Sequence, residues 1–231
     1  MAEPDAFRPR AVVFDLDGTL VDNMGLHMDA FACFAQDHGL PPLTPAMRRA
    51  LDGRRNREIF PILFGRELDD AALRAHALEK EASYRELSRG RLAPLRGVER
   101  FLGRLEALGV PWAMATSAPA ANVPHTLREI GLETRFPRVA LSESMPRGKP
   151  FPDVFLAAAR DLGVDPAACL AFEDSFPGAQ SAMAAGMRCC ALTTTFEAGA
   201  WSEPPRPDWF AADYQDFLDG AGAALFPDPA A

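Results

Sequence analysis

The sequence predicts an α/β fold: a Rossmann-like, doubly wound parallel sheet that carries an inserted all-helical domain. Two observations predict it. Short apolar segments of strand length alternate with helical patterns of about a dozen residues, as in βαβ units. Residues 22–93, in contrast, contain helical spacing and no convincing strand. The 231 residues are enough for one or two domains with a sizeable core.

The first predicted strand is AVVFDL at 11–16, an apolar, β-prone run with polar groups at its carboxyl end. Similar runs predict further strands at 110–116, 138–142, 169–173 and 188–194. Helices are predicted at 97–108 and 152–162, because each pattern stops at a glycine, the usual residue just past a helix end. These elements form the predicted core, residues 1–21 and 94–231.

The stretch 22–93 is predicted to be a helical domain inserted directly after the first strand. Apolar residues recur at helical spacing in 24–38 and again in 70–87. Pro41, Pro42 and Pro45 predict a turn between these two segments. We expect this domain to cover the carboxyl end of the first strand.

Composition excludes several classes of protein. A net charge of −8 argues against a nucleic-acid partner, because phosphate groups require a basic surface. No apolar run approaches the roughly 20 residues needed to span a membrane. The polar start MAEPDAFRPR lacks the apolar segment of a secretory signal. We therefore expect a cytoplasmic protein without a membrane partner. Its four cysteines are expected to be buried free thiols, and the protein is expected to be a monomer.

Polar side chains follow four of the predicted strands. Because ligands bind beyond the carboxyl ends of strands in an open parallel sheet, these side chains are expected to meet in one crevice. A group of carboxylates with one lysine nearby is most simply explained by a divalent cation, and oxygen ligands favour Mg²⁺. The residues are Asp15, Asp17, Thr116, Ser117, Lys149, Glu173 and Asp174.

The same residues carry a resemblance to a known family. The run Asp15-Leu16-Asp17-Gly18-Thr19-Leu20 resembles the first motif of the haloacid dehalogenase superfamily. Thr116 is similar to its second motif, Lys149 in Gly148-Lys149-Pro150 to its third, and Glu173-Asp174-Ser175 to its fourth. The helical insertion resembles the four-helix cap of the branch that contains β-phosphoglucomutase and many sugar-phosphate phosphatases.

The resemblance implies a role for each core residue. Asp15 would be the nucleophile that forms an aspartyl-phosphate, and Asp17 the general acid and base. Asp15, the Asp17 carbonyl and Asp174 would hold Mg²⁺, with Glu173 bound directly or through water. Thr116 and the Ser117 backbone would hold phosphate oxygens, and Lys149 would offset negative charge.

Cap residues are expected to read the leaving group. His27 would lie near Asp17, and Lys80 occupies a cap position that faces the crevice in this branch. Gly53-Arg54-Arg55-Asn56 resembles the specificity loop, so Arg55 and Asn56 are substrate-binding candidates among the arginines 48, 49, 54, 55 and 57. Asn122 is a further candidate for contact with the cap or the substrate. The other histidines, His38, His76 and His125, have no partner in the motifs and are expected on the surface.

Two activities remain open at this point. In β-phosphoglucomutase a Lys-Asn pair after the second motif helps to hold the distal phosphate of a bisphosphate, whereas this chain has Pro119 and Ala120 there. We therefore expect a phosphatase of a small phosphorylated metabolite, with a phosphosugar isomerase as the alternative. A non-catalytic sensor is disfavoured because all four motifs are intact.

Overall fold

The computed structural model describes residues 7–202 and 206–228, apart from the side chains of Arg49 and Ala50. In this part of the chain the core is a six-stranded, all-parallel sheet in the order β3-β2-β1-β4-β5-β6. The strands are β1 Ala11–Phe14, β2 Trp112–Thr116, β3 Val139–Leu141, β4 Cys169–Glu173, β5 Arg188–Leu192 and β6 Trp209–Ala211. The first six residues of the polar N-terminal segment lie outside the described residues.

Helices cover both faces of this sheet, which explains why its central strand is apolar throughout. All four residues of β1 are fully buried. Val12 and Phe14 belong to one apolar cluster and Ala11 and Val13 to the other, as the strand period of two requires. The predicted doubly wound α/β fold is confirmed.

The core helices divide between the two faces. Helices α5, α6, α9 and α10 pack with Phe14, and α7 and α8 pack with Val13. Their bounds are α5 Val98–Ala107, α6 Asn122–Glu129, α7 Asp153–Leu162, α8 Phe176–Ala184, α9 Tyr214–Asp219 and α10 Ala221–Leu225.

Four helices lie between β1 and α5, all within the described backbone, and we call them the cap. They are α1 Met24–Asp37, α2 Pro45–Leu51, α3 Asn56–Phe64 and α4 Asp70–Ser88. Their apolar residues form a separate cluster around Phe34 and Phe60. The two segments that join cap and core pair through a bridge between Val21 and Pro94. The division into folding units at 21/22 and 93/94 stays a prediction.

Three local expectations need correction. Strand β6 was not expected; it is only three residues long, too short for a clear alternating pattern. Pro45 does not mark a turn but begins α2, where the side chain of Thr44 caps the helix. Cys33 is exposed, whereas the other three thiols are buried.

None of the helices in the described part of the chain is long and apolar enough to cross a membrane.

Candidate active site

The crevice lies where the strand order of the sheet reverses, between β1 and β4. Asp15 follows β1 directly, Glu173 ends β4 and Asp174 comes next. The Asp15 amide donates to the Phe172 carbonyl at 3.0 Å, which extends the pairing of the two strands to their carboxyl ends. Parallel register therefore brings these three carboxylates together, as expected for a ligand site at a topological switch point.

Lys149 joins two of these carboxylates. Its ammonium donates to Asp15 Oδ1 and to Glu173 Oε1, both at 2.6 Å. The Lys149 side chain is 1% exposed, so both contacts are shielded from water. Both oxygens of Glu173 therefore accept hydrogen bonds. While Oε1 accepts from Lys149, Oε2 accepts from Ser175 Oγ and from the amides of Asp174 and Ser175.

The charge of this buried group fits a divalent cation. One oxygen from each of Asp15, Glu173 and Asp174 lies within 4.8 Å of the others. Three carboxylates and one ammonium sum to −2, which a divalent ion would neutralise. Burial raises the pKa of Asp15, in spite of Lys149, and raises that of Asp174 well above its usual range. Such a set of hard oxygen donors is suited to Mg²⁺.

Two glycines permit this crowding. Gly18 has φ +77°, and a Cβ atom there would lie 2.0 Å from Asp174 Oδ2. A Cβ atom on Gly178 would lie 1.9 Å from Glu173 Oε1. Both carboxylates therefore rest against backbone that has no side chain, which holds them in place and leaves room at the crevice.

Asp17 lies at the mouth of the crevice and is met by cap residues. Asn23 Nδ2 donates to Asp17 Oδ1 at 2.6 Å, and His27 Nε2 is 3.5 Å from Asp17 Oδ2, longer than a formed hydrogen bond. Burial raises the pKa of Asp17, but the His27 ring, the Asn23 amide and Lys80 outweigh this and hold it below its usual value.

Lys80 fixes the orientation and the tautomer of His27. Lys80 Nζ lies 2.9 Å from His27 Nδ1 and 4.3 Å from the centre of the Phe31 ring. An ammonium can only donate, so Nδ1 accepts and the ring proton is on Nε2, directed at Asp17. The His27 ring also stacks on Tyr84 at 3.8 Å.

The second motif closes the opposite wall. Thr116 ends β2 and is 1% exposed; its hydroxyl accepts from the Ala118 amide at 3.0 Å. Ser117 Oγ donates to the Gly53 carbonyl of the cap at 2.7 Å. Both residues line the crevice beside Asp15.

Glu81 connects the cap candidates to the core. It accepts from Lys80 at 2.9 Å and from Asn56 Nδ2 at 2.7 Å. Asn122 Nδ2 donates to its other oxygen at 2.6 Å, and Arg85 donates to Asn122 Oδ1 at 2.7 Å. Asn56 and Lys80 thus line the crevice as expected, and Asn122 contacts the cap.

Arg55 does not face the crevice. Its guanidinium donates to Glu58 Oε1 and to the carbonyls of Ser142 and Met145 in the core, at 3.2 and 3.0 Å respectively. This Arg55–Glu58 pair packs on Gly148, where a Cβ atom would lie 2.6 Å from Arg55 Nε. Arg55 therefore joins cap to core, and it also lines a second cavity of about 490 Å³ together with Asn56 and Ser117. Its contact with substrate stays a prediction.

Two other arginines line the crevice instead. Arg48 and Arg54 do so together with Asp52, which Arg48 approaches at 3.4 Å. All these arginines lie in one short segment of the sequence. Which of their side chains face the crevice depends on the backbone path of that segment, not on a helical pattern. The side chain of Arg49 lies outside the described residues.

The closed cap leaves a small cavity of about 80 Å³ above Asp15. Its core side is polar, and its cap side combines apolar side chains with charged and polar ones. The apolar wall consists of Met24, Met28, Phe31, Leu43, Leu51 and Ile59.

Comparison with known proteins agrees with this geometry. A family model described as haloacid dehalogenase-like hydrolase matches residues 9–186. A phosphorylated carbohydrates phosphatase from Thermotoga maritima is 32% identical over 182 residues, covering 77% of this chain and 82% of that protein. A fructose-1-phosphate phosphatase from Escherichia coli is 34% identical over 185 residues, covering 78% and 94%.

Solved structures agree as well. The structure of a HAD hydrolase, family IA, variant 3, from Entamoeba histolytica superposes with a TM-score of 0.82 at 26% identity, covering 94% of this chain and 98% of that one. The family match spans more than half of the chain and includes all four motifs. The chain therefore belongs to the haloacid dehalogenase-like hydrolases.

Proposed function

We propose that this protein is a Mg²⁺-dependent phosphatase that hydrolyses a small phosphorylated metabolite through an aspartyl-phosphate. The observation that carries the proposal is the buried group of Asp15, Glu173, Asp174 and Lys149, whose net charge in the ionised state a divalent cation would neutralise. The phosphatase names of two relatives that are each more than 30% identical support the reaction class.

Asp15 is the nucleophile in this proposal. Lys149 holds one of its oxygens, which leaves the other to attack phosphorus and displace the alkoxide. The Thr116 hydroxyl and the Ser117 amide bind phosphate oxygens, while the Lys149 ammonium offsets their charge. Positioning and electrostatic stabilisation supply most of the catalysis in phosphoryl transfer.

Asp17 moves the proton. Asp17 enters the cycle protonated and gives its proton to the leaving alkoxide in the first half-reaction. In the second, the resulting carboxylate accepts a proton from the water that attacks phosphorus and displaces Asp15, which releases inorganic phosphate. Asn23 fixes one oxygen of this carboxyl, and the His27 Nε2 proton faces the other. Lys80 acts through His27 and is therefore a positioning residue.

The metal would be held by Asp15, Asp174 and the backbone carbonyl of Asp17. When bound, Mg²⁺ neutralises charge on the phosphate and orients it for in-line attack. Glu173 has one oxygen on Lys149 and the other on three donors, so we assign it the role of holding Lys149 rather than direct ligation.

The cavity of about 80 Å³ above Asp15 and the one of about 490 Å³ that shares Asn56 and Ser117 with it are both of a size that favours a metabolite over a macromolecular phosphate ester. Relatives named for phosphorylated carbohydrates and for fructose 1-phosphate make a sugar phosphate the first substrate class to test. We place the reaction in the cytoplasm.

A phosphosugar isomerase is the second candidate. Arg48 and Arg54 line the crevice on the cap side, where cations would hold the second phosphate of a bisphosphate. Against this, Pro119 and Ala120 provide no cation at the positions where β-phosphoglucomutase has one. The phosphatase is therefore preferred.

Phosphate release from a panel of sugar phosphates and phosphoglycolate, with Mg²⁺ or with EDTA, tests the proposal. We expect release that requires Mg²⁺, and a loss of at least about 10³-fold in Asp15→Asn. The exposed Asp161→Asn is the matched control. If the folded, metal-loaded enzyme released no phosphate from any of these substrates, the phosphatase proposal would be refuted. Conversion of β-glucose 1-phosphate to glucose 6-phosphate, dependent on a catalytic bisphosphate, would instead establish the isomerase.

A further inference from the structure

A second group of metal-ligating side chains lies in the cap, apart from the crevice. One nitrogen from each of His38 and His76 and one carboxylate oxygen of Glu79 all lie within 4.8 Å of one another. We propose that these three side chains bind a divalent transition metal ion of the Zn²⁺ type. The site would join α1 to α4 and is independent of the proposed phosphatase reaction.

Helix geometry explains why the three residues meet. His76 and Glu79 are three residues apart on α4 and therefore share one face of that helix. His38 is the residue that follows α1, and its amide still donates to the Phe34 carbonyl at 3.1 Å. The antiparallel packing of α1 on α4 brings the end of the first helix to this face of the second.

The distances suit one shared ion. His38 Nε2 lies 2.9 and 3.0 Å from the two carboxylate oxygens of Glu79. With metal–ligand bonds of about 2.0–2.2 Å, two ligand atoms of a tetrahedral ion lie about 3.3 Å apart, so a small side-chain shift is sufficient.

The two imidazole rings are also placed for a common ion. Their centroids are 5.0 Å apart and their planes meet at 87°. Two histidines bound at about 2.0–2.1 Å to one tetrahedral ion have ring centres about 5 Å apart. The observed separation therefore needs little change.

His76 supplies the second, independent observation. Its Nδ1 atom is buried and has no hydrogen-bond partner among the described residues. The ring stacks on Phe64 at 4.7 Å, which fixes its plane without satisfying its polar atoms. A purely structural histidine at this position would bury an unpaired polar group at a cost in stability.

The donor set differs in kind from that of the crevice. Two imidazoles and one carboxylate favour Zn²⁺, Co²⁺, Ni²⁺ or Cu²⁺, whereas the crevice offers only oxygen. The Glu79 side chain is 48% exposed, so water can complete the coordination. Millimolar Mg²⁺ is therefore expected to compete with Zn²⁺ at the oxygen-only crevice far more effectively than at the cap site.

Isothermal titration of the full chain with Zn²⁺ in millimolar Mg²⁺ tests the proposal. We expect one equivalent of Zn²⁺ that is lost, or weakened at least tenfold, in both His38→Gln and Glu79→Gln. Glu79 is about half exposed and His38 is partly exposed at the end of α1, so folding should be retained. The exposed Glu86→Gln on the same helix is the matched control. The thermal midpoint should rise with Zn²⁺ in the wild type and in Glu86→Gln but not in the two site variants.

Electron paramagnetic resonance of the Cu²⁺-loaded protein provides a second measurement. We expect nitrogen hyperfine coupling that is reduced in His38→Gln. Zn²⁺ affinity within tenfold of the wild type in both site variants, or a copper spectrum unchanged by His38→Gln, would overturn the proposal. Phosphatase activity is not a readout of either experiment, so failure of this site and failure of the proposed function are distinguishable.

Discussion

Arg55 provides the sharpest test of how the cap is held closed. Its guanidinium donates to two core carbonyls, Ser142 at 3.2 Å and Met145 at 3.0 Å, and its side chain is only 10% exposed. In Arg55→Ala both bonds are lost. The hydrogen bond that caps the N-terminus of helix α3 persists, because Glu58 Oε2 accepts from the backbone amide of residue 55.

The magnitude follows from these two bonds. A hydrogen bond from a charged donor is worth about 1.5–3 kcal/mol. Arg55 is solvated when the cap opens, so we take about 2–4 kcal/mol for the pair together. At 1.4 kcal/mol per factor of ten, the closed-to-open ratio should fall between about 30-fold and several hundredfold.

The assay is kcat/KM on two substrates with different leaving groups, for example a sugar phosphate and acetyl phosphate. Cap closure serves every substrate, so kcat/KM should fall by about tenfold or more on both. Arg57→Ala is the matched control: it removes the same side chain two residues later, where the guanidinium is 59% exposed and 3.8 Å from Asp70. Hydrogen exchange in the cap should increase in Arg55→Ala alone.

Two results would refute this reasoning. A change of less than threefold on both substrates would show that the two carbonyl contacts contribute little to closure. A loss on one substrate only would show that Arg55 recognises a leaving group, as the sequence suggested.

Three further predictions concern the crevice and its surroundings. Lys149→Arg should lower kcat about 10²-fold, because a planar guanidinium is too broad to fit between two carboxylates 2.6 Å from the ammonium; near-normal turnover would contradict this. Gly178→Ala should displace Glu173, lowering kcat and destabilising the protein by about 1–3 kcal/mol, which thermal unfolding measures and an unchanged midpoint would contradict. Burial raises the pKa of Glu81, but Lys80, His27 and the Asn56 amide together outweigh it and hold the pKa below its usual value. The ionised Glu81 carboxylate therefore stabilises the fold at pH values above the ordinary carboxyl pKa, and this stabilisation is lost as the pH falls through the lowered pKa of the folded state. The difference in unfolding free energy between wild type and Glu81→Gln should shrink between pH 7 and pH values below about 4. A difference that does not depend on pH would disprove the assignment.

The sequence predicts well which residues of the core meet at the crevice, for a physical reason. Parallel strands align their carboxyl ends, so residues such as Asp15 and Asp174 are brought together by topology alone. Once strands are identified, no side-chain detail is required to place them. The helices α1 and α4 were also predictable, because a long amphipathic pattern is difficult to mistake.

The cap side was less predictable. Arg54 and Arg55 are neighbours, yet one lines the crevice and the other faces the core. That difference depends on the backbone path of the segment between α2 and α3, which tertiary packing determines. Strand β6 was missed for a similar reason, since three residues pair with β5 only because the sheet already exists.

The contacts of Arg55 have a consequence for how amino-acid substitutions at the contacting positions would be related in evolution. Its acceptors are backbone carbonyls, which every amino acid at 142 and 145 retains, proline included. Comparisons of many sequences should therefore show no correlated change between residue 55 and either of these positions, although they touch. Among these core positions, only Gly148 would be constrained by the contact, because any side chain there would collide with the Arg55–Glu58 pair. A statistical search for correlated positions between cap and core would therefore not detect this contact.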